Sequence, residues 1–349
     1  MNLTNHIKRH VPLWMAASLA GAFLLTLTIH ALVPDSPKSQ TAPPENGQPA
    51  AAVLANTQSI EASLPLVPVY LSREKRIDKV PIEAYVRGVI AAEMPVDFEL
   101  EALKAQALAA RTYIVRRLQD NDTSQVPLQG AVVTDTVAHQ AYLTQEQLNG
   151  KWSGSAATTN WEKLNRAVLE TEGRIILYDG KPINAVFFST SNGYTENSED
   201  YWGDKVPYLR SVPSPWDAKL SPRFKETVSV TYKDFLKKLG LSGTVTASAG
   251  VTGSKVISTT EGHRIGKISI GGKSFTGREV REKLGLNSSQ FEWKLSGGEV
   301  KITTYGYGHG VGMSQWGANG MAKEGKSAEE IIRYYYKGVS ISSAGYPKS

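Results

Sequence analysis

One apolar run near the start of the chain limits everything that follows it. From Val11 to Val33 the sequence VPLWMAASLAGAFLLTLTIHALV holds no residue that must carry a charge. As a helix it would extend roughly 34 Å, enough for a bilayer core of about 30 Å. Lys8 and Arg9 precede it, so the positive-inside rule puts residues 1–10 in the cytoplasm and the bulk of the chain across a membrane. A cleaved signal peptide is the alternative. The run is longer than a usual signal core and no clean small-x-small site follows it, so the expectation is an uncleaved single-pass anchor at 11–33 that contacts the lipid bilayer.

Five prolines between Pro34 and Pro49 make 34–63 an extended tether rather than a packed element. Beyond it, a chain of 349 residues has room for one large domain or two ordinary ones. Its composition, 41% hydrophobic and 21% charged, is that of a globular protein. The net charge of +6 includes Lys8 and Arg9, and what remains suits an anionic surface without pointing to nucleic acid. With no cysteine, disulfides and thiolate metal sites are excluded.

The pattern from residue 64 predicts an α+β fold. LPLVPVYLS reads as a strand, Asp78 as an N-cap with Pro81 in the first turn of a helix ending at Glu93, and 99–118 as a second helix. GAVVTDT, RIILYDGKPINAVFFST (with an Asp179-Gly180 hairpin) and YLRSV read as strands. Between 222 and 300 short strands, hairpins and two short helices suggest an inserted smaller β-rich lobe. The mixed core then comprises 64–221 and 301–349. Ser327 and Glu330 form a capping box for a last helix, with Gly338 past its end.

Glu93 is the residue most in need of explanation. Ile82, Val86 and Val89 share one helical face, Glu93 is its next position, and Pro95 ends the helix at Met94. A carboxyl there meets the negative end of the helix dipole and the apolar Val89 and Ile90. Both raise its pKa, as a general acid working near neutral pH requires. In the second helix Lys104 and Arg111 fall within the apolar stripe, about 20° apart. Two cations there call for an anion, either a substrate or an ion pair within the fold, unless they snorkel out.

Ser189, Thr190, Ser191, Asn192 and Gly193 follow an apolar strand and precede Tyr194, Tyr201 and Trp202. Small hydrogen-bonding groups beside aromatic rings suit a sugar; a plain polar turn is the other reading. YGYGHGVGMSQWGANG (305–320) alternates glycines around His309, which implies unusual backbone angles or a close-approaching ligand, or a tight structural loop. It lacks the dinucleotide fingerprint. GKISIGGKS (266–274) has one residue too many for a phosphate loop and sits on a hairpin. The six histidines show no metal-ligand spacing; His139 and His309 are the two that look embedded in structure.

Three blocks taken in order carry a resemblance: VPIEAYVRGVIAAEMPVDFELEALKAQALAARTYIVRR, FFSTSNGYTENSEDYWGDKVPYLRSV and GYGHGVGMSQWGANGMAKEGKSAEEIIRYYYKGV. From about residue 75 to 342 the chain resembles the stage II sporulation protein D family. The resemblance implies a lytic transglycosylase that cuts peptidoglycan glycan strands, already stripped of stem peptides, during engulfment of the forespore. It implies as partners the amidase called stage II sporulation protein P and the membrane protein called stage II sporulation protein M. The location implied is the mother-cell membrane around the forespore, with the catalytic domain extracytoplasmic. The family's catalytic glutamate falls on Glu93. Its substrate-binding positions fall on Lys104, Gln106, Arg111, Tyr113, Ser189, Ser191, Asn192, Gly193, His309, Gly310 and Gln315. Some members carry a metal held by cysteines and histidines near AHQAYLTQ; only His139 remains of that set, so neither metal nor other cofactor is expected.

Two rivals stay open. One is an ordinary glycoside hydrolase using Glu196, Glu199 or Asp204 as a second carboxylate. The other is a non-catalytic glycan-binding module that stimulates a partner amidase, since relatives called amidase enhancers share the domain.

Overall fold

Val67, Val69 and Leu71 alternate inward along Leu66–Leu71 (β1), and this buried face seeds the main core. β1 pairs antiparallel with Arg76–Pro81 (β2), whose mixed pattern RIDKVP gives no strand signal. The computed structural model describes residues 65–241, 251 and 253–344; the expected tail, anchor and tether at 1–63 lie outside them. Among the described residues no helix is long and apolar enough to cross a membrane.

Two helices follow, Ile82–Glu93 (α1) and Leu100–Gln119 (α2). Asp78 is not the N-cap that the sequence suggested: it lies in β2, and α1 starts straight after Pro81 with no side-chain cap. Proline supplies a suitable φ and has no N–H to satisfy, so the strand turns directly into the helix. Val133–Thr134 (β3) adds to β1 in parallel. Gln145–Asn149 (α3) and Ser155–Leu169 (α4) come next; the polar opening of α4, SAATTN, conceals it from periodicity. Arg174–Tyr178 (β4) and Lys181–Pro182 (β5) form the expected hairpin around Asp179 and Gly180, both at positive φ.

Phe187–Phe188 (β6) is followed by Ser198–Trp202 (α5) and Asp217–Leu220 (α6). YLRSV, expected as a strand, forms none: Leu209 accepts from Ser198 N–H and Val212 from Thr195 N–H across a folded loop. Lys225–Thr231 (β7), Tyr232–Leu239 (α7), Lys255–Thr259 (β8), Ile265–Ile270 (β9), Lys273–Thr276 (β10), Gly277–Leu284 (α8), Phe291–Ser296 (β11) and Glu299–Tyr305 (β12) build two antiparallel sheets, ordered β10-β9-β8 and β11-β12-β7. Met313–Ser314 (β13) pairs in parallel with β6. Gln315–Lys323 (α9), Ala328–Tyr335 (α10) and Ser340–Ser343 (β14) are the last elements among the described residues, and β14 pairs with β4.

The fold is mixed α+β, with several small sheets rather than one large one. Among the described residues the buried apolar side chains form two clusters. The larger surrounds α1 and α2 and draws in α9 and α10; the smaller runs from Phe235 to Ile302. α2 carries a nearly continuous buried face of alanines and leucines, which lets α1, α4, α9 and β4 all close against it. Through α9, which packs on it, that central helix brings Gln315 beside the end of α1.

Candidate functional site

α1 stops at Glu93 because Pro95 forces Met94 out of the helical region, to φ −123° and ψ 143°. The half-buried Glu93 side chain then meets two neutral donors. Ala141 N–H donates to Oε1 at 2.8 Å, and the Gln315 side chain donates to the same carboxyl group. Gln315, at the start of α9, also reaches Gln106 of α2, Nε2 to Oε1 at 3.5 Å. Burial pushes the Glu93 pKa up, and the bonds from Ala141 and Gln315 hold it back in part. A carboxyl group so balanced can lend a proton to an oxygen and take one back.

Of the residues assigned by resemblance, Gln315 thus meets Glu93, and Gln106 meets Gln315 behind it. The cations do not serve it. Arg111 is wholly buried and grips Glu83 bidentately, Nε to Oε1 at 2.8 Å and Nη2 to Oε2 at 2.5 Å, with Thr171 and Arg174 carbonyl oxygen as further acceptors. Lys104 pairs with Glu101 at 2.7 Å and Glu170 at 3.1 Å. Both are ion pairs within the fold, the alternative that their place on the apolar stripe left open. Half-buried Tyr113 lies under Arg117, 5.8 Å from the guanidinium carbon.

The serine-rich turn is also occupied by the fold. Ser191 is fully buried, its N–H donating to Asp217 Oδ1 at 2.7 Å and its hydroxyl to Ser214 carbonyl oxygen at 3.1 Å. Asn192 Nδ2 bonds Gly262 carbonyl oxygen and Gln290, across to the smaller cluster's segment. Ser189 keeps its hydroxyl 3.2 Å from that of Thr190, and Gly193 N–H donates to Ser191 Oγ. Sequence reasoning missed Asp217, which no motif marks. It accepts from Ser191, Ser214 and Ser314, and Ser214 passes the chain on to Tyr335.

In the glycine-rich block Gly310, at φ +89°, lies against the Arg264 guanidinium, where a Cβ would collide. Arg264 is buried beside Glu196, with 3.7 Å between Nη1 and Oε2, and donates to the Tyr194 carbonyl oxygen. The His309 imidazole is ringed by Phe188, Tyr201 and Trp202, and burial, with Arg281 and Arg264 adding to it, pulls its pKa down to about 3. The tight-loop reading of this block accounts for both residues. Glu199, named for a hydrolase, is held by Arg210, whose hydrogen bond takes its pKa down to about 2.

Among the described residues no three His, Asp or Glu side chains gather as metal ligands. His139 instead pins its own loop, with Nδ1 3.0 Å from Thr134 Oγ1 and Nε2 3.1 Å from Ser124 carbonyl oxygen.

Fold and site together define a mixed α+β protein in which the carboxyl group closing α1 is partly buried, held by two neutral donors and raised in pKa by burial. Comparison with known proteins makes this specific. A family described as "Stage II sporulation protein" matches residues 70–178. The chain is 48% identical over 287 residues to stage II sporulation protein D of Bacillus subtilis (strain 168), covering 82% of each chain. It is 46% identical over 335 residues to the protein of that name in Bacillus amyloliquefaciens, covering 95% of each. A protein named amidase enhancer, from Bacillus subtilis (strain 168), is 31% identical over 309 residues, which is 74% of this chain and 40% of that one. The chain belongs to the stage II sporulation protein D family, and its role lies in sporulation.

Proposed function

We propose that the protein is a membrane-anchored lytic transglycosylase acting on peptidoglycan glycan strands that lack stem peptides. The observation that carries this reading is Glu93 itself: a half-buried carboxyl group with a raised pKa, held in place by Ala141 and Gln315. Protonated Glu93 donates to the oxygen linking N-acetylmuramic acid to N-acetylglucosamine, and the bond from that oxygen to the anomeric carbon breaks. The muramic acid's 6-hydroxyl attacks the anomeric carbon, and its proton passes to the Glu93 carboxylate. The acid is restored and the strand ends in a 1,6-anhydro sugar. An intramolecular nucleophile removes the need for a second carboxylate to activate water. The hold of Arg210 on Glu199, and the burial of Glu196 under donors from Thr260 and Gly262, support one carboxylate over two.

On this reading 11–33 anchors the chain in the mother-cell membrane around the forespore, with the folded part extracytoplasmic. The amidase called stage II sporulation protein P prepares the strands, and stage II sporulation protein M completes the membrane complex. Of the assigned substrate-binding residues, Gln315 borders the acid and Gln106 backs Gln315.

The test is digestion of peptide-free glycan strands by the full chain, with product masses. Lytic cleavage gives 1,6-anhydro ends, whereas hydrolysis adds water to the muramic end. Glu93→Gln keeps strand binding and lowers cleavage by roughly 10²- to 10⁴-fold. A second reading, enhancement of a partner amidase without cleavage, is favoured by the relative named amidase enhancer. No fragments from strands alone, together with faster turnover by added amidase, would establish it instead.

A further inference from the structure

Glu93 is held by a backbone amide of a segment 48 residues further on, and that segment lies along α1 beside Tyr85 and Gly88. Leu143 N–H donates to Gly88 carbonyl oxygen at 3.3 Å, one and a half turns before Glu93. The Tyr142 ring rests over Gly88 and stacks on Tyr85 at 5.3 Å and 21°. Tyr85 in turn donates its hydroxyl to Gln140 Oε1 at 3.3 Å. A Cβ on Gly88 would collide with both Leu143 carbonyl oxygen and the Tyr142 ring. Glycine in mid-helix costs roughly 1 kcal/mol relative to alanine, so this bare patch on a buried helix serves close approach.

We propose that Gly88 and Tyr142 are positioning residues for Glu93: together they let the 140–143 strap lie directly on α1 and so deliver the Ala141 N–H to the carboxyl oxygen. Neither touches the reacting atoms. The strap sets how Glu93 is oriented and favours its ionised form, in which it takes back the proton of the attacking hydroxyl. Ala141 N–H from the strap and the Gln315 side chain from α9 donate to Glu93, and Tyr85 of its own helix feels the charge of the ionised form. The catalytic meaning rests on the proposed function, but the strap's geometry does not.

The experiment uses the full chain in detergent micelles and needs no glycan. Amide hydrogen exchange at Ala141 and Leu143 reads the strap. Carbodiimide labelling of Glu93 across pH, followed by mass spectrometry, reads its protonation. Both amides are protected in the wild type. Gly88→Ala and Tyr142→Ala speed their exchange by about tenfold or more while α1 and α2 stay protected; Tyr142→Phe, which keeps the ring, matches the wild type. Ala141→Pro removes the donor and moves the Glu93 midpoint up by about one pH unit. In cleavage assays Gly88→Ala lowers kcat more than it changes KM. Unprotected wild-type amides, or Gly88→Ala and Tyr142→Ala that both leave exchange and midpoint unchanged, would overturn the proposal. If the strap behaves as stated but Glu93→Gln still cleaves strands, the transglycosylase reading fails and the positioning stands.

Discussion

Arg111 and Glu83 face each other as a bidentate pair, with 2.5 Å between Nη2 and Oε2 and almost no solvent on either side chain. The pair joins the first turn of α1 to the middle of α2, and Gly173 N–H also donates to Glu83 at 3.2 Å. Removing one member of such a pair strands the other charge in a medium that cannot solvate it. Arg111→Met therefore lowers stability by about 3–5 kcal/mol, while Arg111→Met combined with Glu83→Leu loses much less. Denaturant unfolding of the two variants checks this. A substrate-binding arginine would instead leave stability unmoved and weaken strand binding.

The raised Glu93 pKa sets the sign of the pH profile. As the proposed general acid Glu93 must carry its proton, so on that mechanism kcat/KM falls as pH rises through the Glu93 value, which lies above that of an ordinary carboxyl group. Burial is the main cause of the shift, so a polar substitution that admits water, such as Ile90→Thr, moves that limb toward lower pH. Measuring the profile on peptide-free strands for wild type and Ile90→Thr tests the direction.

Asp217 is a buried hub whose pKa burial raises, with its serine hydrogen bonds opposing the shift. A carboxyl group with a folded pKa above its unfolded value contributes fully at low pH and loses that contribution as pH rises through the folded value. Asp217→Asn removes this slope and flattens stability above the ordinary carboxylate range. Asp217→Ala leaves the Ser191 N–H and the Ser314 and Ser214 hydroxyls without their acceptor and costs about 1–3 kcal/mol for each one left unpaired. Unfolding curves at several pH values separate the two effects.

His309 stays neutral across the physiological range because its pKa is held to about 3. Depression means that its share of stability is complete above the unfolded value near 6.5 and is lost as pH falls toward 3. His309→Gln therefore has a shallower fall in stability over that interval. It leaves the alkaline limb of the activity profile in place, because His309 exchanges no proton there. NMR titration of the imidazole checks the midpoint directly.

What could be read from the chain and what could not divide along a physical line. Short-range geometry was legible. Pro95 ends α1, the Asp179-Gly180 dipeptide turns a hairpin, and Ser327 with Glu330 caps α10, because each effect acts within a few residues. The amphipathic stripe of α2 was legible too, since burial imposes its period on the sequence. β2 and α4 were not, because their polar patterns gain their structure from the elements that they meet.

The sequence alone determined that Glu93 closes a buried helical face and that two cations lie on the face of α2. Only the tertiary structure decided which partners they meet. Arg111 finds Glu83, Lys104 finds Glu101 and Glu170, and Glu93 finds an amide from 141 and a side chain from 315. A backbone N–H leaves no signature in residue type, and Asp217 looks like any other aspartate until three serines surround it. The choice among partners is made by packing over long sequence distances, where a charge or a donor takes whichever neighbour the core places within about 3 Å.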